Sequence, residues 1–328
     1  MEFGRLEIDD LQQVEFKLPP DATGTDKMFT GLTNKKPSQI FVGCAKWGRK
    51  DWVGKIYPAK TKEADFLNHY SHHFNCIELN ATFYKMPTIA QTSGWAAKVE
   101  PGFKFCPKFP NQITHMRRLK NVEEQTDRFL KGISGFGDSL GPLFLMPHPQ
   151  MGPKDLDRLT AFIDYLPKDV PLFLEMRHPD WYADQTASEG LFSMMEQRHA
   201  GSIITDASGR RDCLHMRLTT PEIFIRFVGN GLHPTDYTRI DDWVMRIKSW
   251  IQKGIEKVYF FMHQHEELHS PELSKYLIEQ LNLHCGTNIP VPKFVEAASD
   301  PEKEVPNENA VPKKSTTKVV TPKKKKAK

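Results

Sequence analysis

The chain has 328 residues, of which 39% are hydrophobic and 26% charged, the composition of an ordinary globular protein. No apolar run approaches the roughly 20 residues that span a bilayer, which excludes a helical membrane protein. The net charge of +4 includes eight lysines and no acid in residues 311–328, so 37 basic residues face 41 acidic ones elsewhere, which excludes a global attraction of the body for nucleic acid.

Residues 1–37 mix acidic and basic side chains without strong periodicity and lack the basic, then apolar, then small-residue pattern of a secretory signal. The five cysteines are odd in number, widely spaced and without a CxxC pair, which favours reduced thiols over disulfides or structural zinc. We therefore expect a cytoplasmic protein with a partly ordered N-terminal extension over residues 1–37.

From Ser38 onward, short apolar runs rich in β-formers alternate with segments of helical period, which is the pattern of βαβ units and a parallel sheet. Eight strands are predicted, over residues 40–46, 76–82, 103–109, 143–149, 172–178, 201–207, 222–229 and 257–264. Eight parallel strands close a barrel. The sequence therefore predicts an α/β fold, an eight-stranded β/α (TIM-type) barrel, over residues 38–290.

Two of the intervening helices carry clear boundary signals. Residues 241–254 repeat tryptophan and isoleucine at helical spacing and end in Gly254, a usual helix stop. Ser270 and Pro271 predict the start of the last helix, with Ser270 as N-cap and Pro271 at the first helical position.

From about residue 297, Pro, Glu, Asn, Thr and Lys dominate the sequence, which is too polar to offset the entropy of ordering. We predict that residues 297–328 form a disordered basic tail, dispensable for folding. Its lysines either bind RNA or DNA without sequence preference or only keep the protein soluble.

Polar side chains recur late in the predicted strands, after an apolar first half. Because the loops that follow the strands build the active site of such a barrel, these side chains are candidates for function. The candidates for catalysis are Glu78, Glu175, His115 and Asp206. The candidates for substrate binding are Lys46, Trp47, Asn80, Tyr84, Lys108, Arg177, His178, Arg226, Asn230 and His263.

The charged candidates are expected to converge. Strands two, five and seven place Glu78, Glu175 and Arg226 where barrel geometry turns them toward the C-terminal mouth. Lys108, His115 and Asp206 are expected within reach of the same ligand. The alternative is a closed ion-pair cluster, in which removal of one partner costs about 3–5 kcal/mol.

A divalent metal is a further alternative. His263 and His265, with Asp206, Glu78 and Glu175, contain suitable donor atoms. However, no histidine motif is tied to a second carboxylate motif, and thirteen histidines produce many accidental pairs. No residue is therefore assigned as a metal ligand, and the cofactor is left unknown.

Several motifs occur in order along the chain, among them GCAKW at 43–47, ELNATFY at 78–84, EMRHPDW at 175–181 and IRFVGN at 225–230. Over about residues 40–285 the chain resembles the YecE-like family, the domain of unknown function numbered 72. The resemblance implies a TIM-type barrel and no settled activity. It also implies that family-typical polar positions are held by Glu78, Asn80, Thr82, Tyr84, Lys108, His115, Glu175, Arg177, His178, Asp206 and Arg226.

The chain departs from that family pattern in two places. Met146 and Pro147 stand where a Gln-Leu pair is usual, and His263-Gln264 replaces an asparagine-rich end of strand eight. These departures lie in predicted strands four and eight, so they bear on any shared reaction.

Two classes of function fit these residues. The first is a hydrolase or lyase on a phosphorylated or nucleotide-like substrate, with Glu78 or Glu175 as general base and Arg226 and Lys108 binding anionic oxygens. In that mechanism His115 or His263 assists proton transfer. The second is a non-catalytic module that binds nucleic acid or a partner protein.

Overall fold

The computed structural model describes residues 3–32 and 36–295. The predicted disordered basic tail, residues 297–328, lies outside the described residues. Within the described ranges, no helix combines the length and the apolar character needed to cross a membrane.

All eight predicted strands are confirmed. They are β1 (Gln39–Cys44), β2 (Cys76–Leu79), β3 (Lys104–Pro107), β4 (Leu143–Leu145), β5 (Leu172–Leu174), β6 (Gly201–Asp206), β7 (Glu222–Gly229) and β8 (Lys257–Gln264). Strands β4 and β5 have three residues each and are shorter than predicted. Pro147 follows β4 by two residues, and proline has no N–H to continue a ladder.

The strands are parallel and follow the order β3-β2-β1-β8-β7-β6-β5-β4. The two outermost strands meet through single bridges, Phe105 with Leu140 and Lys108 with Phe144. The Phe109 amide also donates to the Phe144 carbonyl at 2.9 Å. The sheet therefore closes into the predicted barrel, with its last seam made by a few contacts.

Ten α-helices surround or connect the strands in the described residues. They are α1 (Thr23–Thr30), α2 (Phe66–Ser71), α3 (Ala81–Tyr84), α4 (Ile89–Ala96), α5 (Glu123–Ile133), α6 (Leu156–Tyr165), α7 (Asp180–Ala183), α8 (Gln185–Gln197), α9 (Pro234–Gln252) and α10 (Ser270–Cys285). Between β3 and α5 the chain also makes one π-helical turn, Gln112–Met116.

Helix boundaries differ from the sequence expectation at two starts. Helix α9 begins at Pro234, earlier than predicted, with the His233 ring accepting a hydrogen bond from the Thr235 amide at 3.3 Å. The prediction that Ser270 is the N-cap of α10 is wrong by one residue, because His269 holds that position. The Ser270 hydroxyl instead donates to Glu267 Oε2 at 2.7 Å.

The barrel interior is filled by one apolar layer of large side chains. Its buried members are Phe41, Cys76, Cys106, Phe144, Met146, Phe173, Ile203, Phe224, Tyr259 and Phe261. A larger apolar cluster packs the outer faces of the strands against the helices. Strand residues alternate between these two clusters. On each strand, the residue two positions after the interior layer therefore also points inward, and it lies nearer the C-terminal mouth.

The described N-terminal residues, 3–32, pack against the barrel. Thr25 hydrogen-bonds the Met216 carbonyl at 2.9 Å, and Asp21 forms an ion pair with Arg246 of α9 at 2.7 Å. Further upstream, the Phe3 ring lies 3.9 Å from the Arg177 guanidinium. This segment therefore reaches from the flank of the barrel to its mouth.

Candidate functional site

Polar residues replace apolar ones at the inward positions nearest the C-terminal ends of the strands. On β2, Glu78 follows Cys76 of the interior layer, and on β7, Arg226 follows Phe224. The same step places Thr205, Glu175 and His263 on or just after β6, β5 and β8. The alternation of strand side chains therefore builds a polar layer directly above the apolar core.

Arg226 joins the two glutamates in one buried cluster. Its Nε donates to Glu78 Oε2 at 2.8 Å, and its Nη1 donates to Glu175 Oε1 at 2.8 Å. Glu78 is 0% exposed and Arg226 is 2% exposed. The three residues therefore meet, and they do so as the closed ion-pair cluster that the sequence left open as the alternative to a shared ligand site.

Further donors complete both carboxylates. Asn80 Nδ2 donates to Glu78 Oε1 at 2.8 Å, and the His263 ring lies 3.0 Å from Glu78 Oε2 through Nε2. Glu175 accepts from the Thr205 hydroxyl at 2.8 Å and from Arg177 Nη2 at 3.1 Å. Such saturation is what keeps buried charges tolerable.

The pKa values of these groups follow from that pairing. Burial raises the pKa of Glu175, but Arg177 and Arg226 outweigh it and hold the pKa at about 2. Burial acts likewise on Glu78, and Arg226 with His263 brings its pKa well below the usual range. Burial lowers the pKa of His263, but Glu78 raises it above the ordinary value. Ionised and fully paired carboxylates accept a further proton poorly at neutral pH, which argues against either glutamate as general base.

A cavity of about 740 Å³ opens at the C-terminal mouth beside this cluster. Five lysine or arginine side chains line it, against three acidic ones. The basic residues are Lys46, Arg49, Lys108, Arg177 and Arg226, and the acidic ones are Asp51, Glu266 and Glu267. A cavity with this balance favours an anionic ligand.

Lys108 is the buried amine of this cavity. Its side chain is 6% exposed, and its Nζ lies 4.7 Å and 4.8 Å from the ring centroids of Phe83 and Phe144. Burial and the positive charge of Arg226 lower its pKa to about 7, although Glu175 and Glu78 oppose the change. An amine with such a pKa exchanges protons readily at neutral pH.

The rim beside Lys108 carries aromatic and imidazole rings. The His115 ring, on the π-helical turn, packs edge-on against Phe83 at 5.0 Å and lies 5.4 Å from the His148 ring. Burial, His148 and Lys108 lower the pKa of His115 to about 4, so the ring is neutral at pH 7. Tyr84 is 77% exposed on the same rim and presents a stacking surface.

Comparison with known proteins assigns this barrel to a family. The profile described as "Protein of unknown function DUF72" matches residues 41–295. The chain belongs to the DUF72 family. This DUF72 chain is 27% identical over 260 residues to UPF0759 protein YecE of Escherichia coli K12, an alignment covering 74% of the chain and 92% of YecE. It is also 27% identical over 151 residues to UPF0759 protein YunF of Bacillus subtilis, covering 44% of the chain and 52% of YunF.

The fold comparison agrees. A crystal structure of a DUF72 family protein from Enterococcus faecalis V583 superposes with a TM-score of 0.60 at 16% identity, covering 79% of this chain and 99% of that one. The names of these relatives give no reaction, substrate or partner.

Seven of the predicted site residues line the cavity of this DUF72 protein. They are Lys46, Asn80, Tyr84, Lys108, Arg177, Arg226 and His263. Glu78 and Glu175 lie behind its wall, bound to Arg226, and His115 packs on Phe83, which lines it. These ten residues therefore lie in the wall of the cavity or directly behind it.

Four predicted site residues lie elsewhere. Trp47 packs on the Trp95 ring at 5.3 Å, and His178 accepts a hydrogen bond from the Asp180 amide at 3.3 Å. The Asn230 amide donates to Asp236 Oδ2 at 2.8 Å, which ties it to the start of α9. None of these side chains, nor Asp206, lines the cavity.

Asp206 belongs to a separate buried network. Arg239 of α9 lies 2.8 Å from it, and Trp243 Nε1 donates to it at 2.8 Å. Since its neighbour Thr205 points into the barrel, Asp206 points outward to the helices. The expectation that Asp206 shares a ligand with Lys108 therefore does not match its position.

The sequence reasoning missed several residues that contribute to the site. Thr205 holds Glu175, and Phe83 and Phe144 enclose Lys108. The period of two on β6 was a signal for Thr205, because Ile203 is an interior residue. Arg49 lies in a loop, where no periodicity identifies a cavity residue.

No group of three or more His, Cys, Asp or Glu side chains within residues 3–32 and 36–295 is arranged to hold a metal ion. The three predicted carboxylate donors are already engaged, since Glu78 and Glu175 bind Arg226 and Asp206 binds Arg239. The side chains that face the cavity are therefore the candidates for ligand binding.

Proposed function

We propose that this protein is an enzyme, a hydrolase or lyase, that acts on a small phosphorylated substrate at the C-terminal mouth of the barrel. The observation that carries the proposal is Lys108, a buried amine in the wall of a predominantly basic cavity, with a pKa of about 7. In this assignment Lys108 transfers the proton, the role that the sequence predicts for Glu78 or Glu175.

Anion recognition rests on the arginines. Arg177 lines the cavity, donates to Glu175 through Nη2, and has a buried Nε without a hydrogen-bond partner among the described residues. A buried donor without a partner carries a desolvation cost that an incoming phosphate oxygen relieves. A guanidinium also binds phosphate with two parallel hydrogen bonds.

The ion-pair cluster has a supporting role in this proposal. Glu78 and Glu175 hold Arg226 from two sides, so its guanidinium stays fixed in the cavity wall. A fixed positive charge next to Lys108 keeps the amine partly deprotonated and stabilises negative charge that develops on a substrate.

Two measurements test the proposal. Inorganic phosphate, titrated calorimetrically into the full chain, should bind, and Arg177→Gln should weaken that binding about tenfold, the effect of a charged hydrogen bond. Turnover of a panel of sugar phosphates and nucleotides, followed by phosphorus NMR, should fall at least about 100-fold in Lys108→Met.

Lys154→Met is the matched control, because Lys154 is exposed and does not line the cavity. It should leave phosphate affinity and turnover unchanged. Absence of phosphate binding at millimolar concentration would overturn the phosphorylated substrate. Phosphate binding without turnover of any panel member would favour the alternative, a non-catalytic binding module.

A further inference from the structure

The backbone on both sides of Lys108 is held firmly. Its amide donates to the Leu79 carbonyl at 3.3 Å, and its carbonyl accepts the Thr82 hydroxyl at 2.7 Å. Leu79 is the last residue of β2 and follows Glu78, and Thr82 lies in α3, the next helix. The side chain therefore leaves a fixed point and extends toward the cavity between two aromatic rings.

The amine of Lys108 lies near four charged side chains but forms an ion pair with none of them. Arg226 and Arg177 repel it, Glu175 and Glu78 attract it, and within the described residues no carboxylate comes within ion-pairing distance. Both carboxylates are committed to the arginines, to Thr205, to Asn80 and to His263. The nitrogen lone pair is therefore available to a molecule in the cavity.

We propose that Lys108 is a covalent nucleophile that forms a Schiff base with a carbonyl group of a small anionic aldehyde or ketone. This inference rests on the proposed function, requires that the anionic substrate also carry a carbonyl group, and selects lyase over hydrolase. A lysine desolvated among apolar walls and next to another cation is the arrangement that activates an amine for this chemistry. The pKa of about 7 agrees with it, because roughly half of the amines are uncharged at neutral pH.

The covalent step balances without any redox partner. The neutral amine attacks the carbonyl carbon and forms a C–N bond, while a proton passes from nitrogen to the former carbonyl oxygen. That oxygen then takes a second proton from the solvent and leaves as water, which gives a protonated imine. Water reverses the sequence after reaction. The imine withdraws electrons from the adjacent carbon, which permits cleavage of a bond to that carbon.

Arg177 determines which carbonyl compounds are favoured. Its unpartnered Nε and its place in the cavity wall suit a carboxylate or phosphate on the same molecule as the carbonyl. An uncharged aldehyde lacks that contact. Selectivity for the anionic compound is thus a direct consequence of the geometry.

Reductive trapping tests the inference. The full chain is incubated with glyoxylate and sodium cyanoborohydride, and the modified lysines are located by peptide mass spectrometry. Lys108 should be labelled at least about tenfold faster than exposed Lys154 at pH 7, with a labelling midpoint near pH 7. Added inorganic phosphate should protect Lys108 and leave Lys154 unaffected.

The matched variant is Arg177→Gln. It should slow labelling of Lys108 by glyoxylate about tenfold and change labelling by uncharged glycolaldehyde far less. Labelling of Lys108 no faster than Lys154 in the wild-type protein would overturn the Schiff base. If phosphate still binds and Lys108→Met still abolishes turnover, the proposed function survives that result with Lys108 as an acid or base only. If Lys108 is labelled fast but the protein does not bind phosphate, the result supports Lys108 as a nucleophile and contradicts a phosphorylated substrate.

Discussion

Replacement of Glu175 by glutamine measures how much the ion-pair cluster holds the barrel together. Glutamine keeps the volume and one acceptor of the side chain but removes the charge that faces Arg226 at 2.8 Å. The pKa of Glu175 falls from 4.5 to about 2 on folding, since Arg177 and Arg226 outweigh the burial that would raise it. A change of that size corresponds to about 3 kcal/mol of stability at pH 7.

The pH dependence gives this prediction its sign. Because the folded-state pKa is the lower one, the contribution of Glu175 is complete above the unfolded pKa and is lost as pH falls through the folded pKa. The penalty for Glu175→Gln should therefore fall from about 3 kcal/mol at pH 7 to about 1 kcal/mol at pH 3.

Urea unfolding followed by tryptophan fluorescence provides the assay at both pH values. Glu279→Gln is the matched control, because Glu279 is half exposed and lies 3.8 Å from Lys275 on α10, where an ion pair contributes less than about 1 kcal/mol. If the free energy of unfolding of Glu175→Gln lies within about 0.5 kcal/mol of the wild-type value at pH 7, the ion-pair cluster does not stabilise the fold. A penalty that does not shrink at pH 3 would show that lost packing, not lost charge, is the cause.

Three further predictions follow from burial and charge. Because the pKa of His263 is raised on folding, its contribution to stability is present below pH 6.5 and is lost as pH rises through the folded-state pKa. The melting temperature should therefore decline less steeply from pH 6 to pH 9 in His263→Gln than in the wild type. Parallel slopes would contradict this. Asp206→Asn should cost about 3–5 kcal/mol in urea unfolding by leaving Arg239 short of a partner, while calorimetric phosphate affinity stays unchanged; a selective loss of affinity would place Asp206 in the site after all. Truncation of residues 297–328 should leave the melting temperature unchanged and abolish salt-dependent binding of a mixed oligonucleotide, whereas a loss of several degrees or an unchanged titration would refute the tail assignment.

The barrel was predictable because its signal is local. Each strand is a short apolar run whose neighbours along the chain are helical, and that pattern survives without knowledge of any contact. The convergence of Glu78, Glu175 and Arg226 was predictable for a related reason, since each lies late in such a run. Once the barrel closes, inward side chains near the strand ends all point to the C-terminal mouth.

The rest depended on information that a linear sequence does not carry. Asp206 was misplaced because one residue of strand register separates the interior from the helical face, and Thr205 takes the interior position. The special character of Lys108 arises from Phe144 and Arg226, which arrive from β4 and β7. No motif around Lys108 encodes the pKa that those distant neighbours impose.

The position of Phe3 has a practical consequence for handling the protein. Its ring covers the guanidinium of Arg177, and the Gly209 amide donates to the Gly4 carbonyl at 2.9 Å, which anchors this stretch beside the mouth. An affinity tag fused directly ahead of Phe3 would therefore begin close to Arg177, which lines the cavity. Ligand screens are therefore best performed with the N-terminal residues native and the purification handle placed at the opposite terminus.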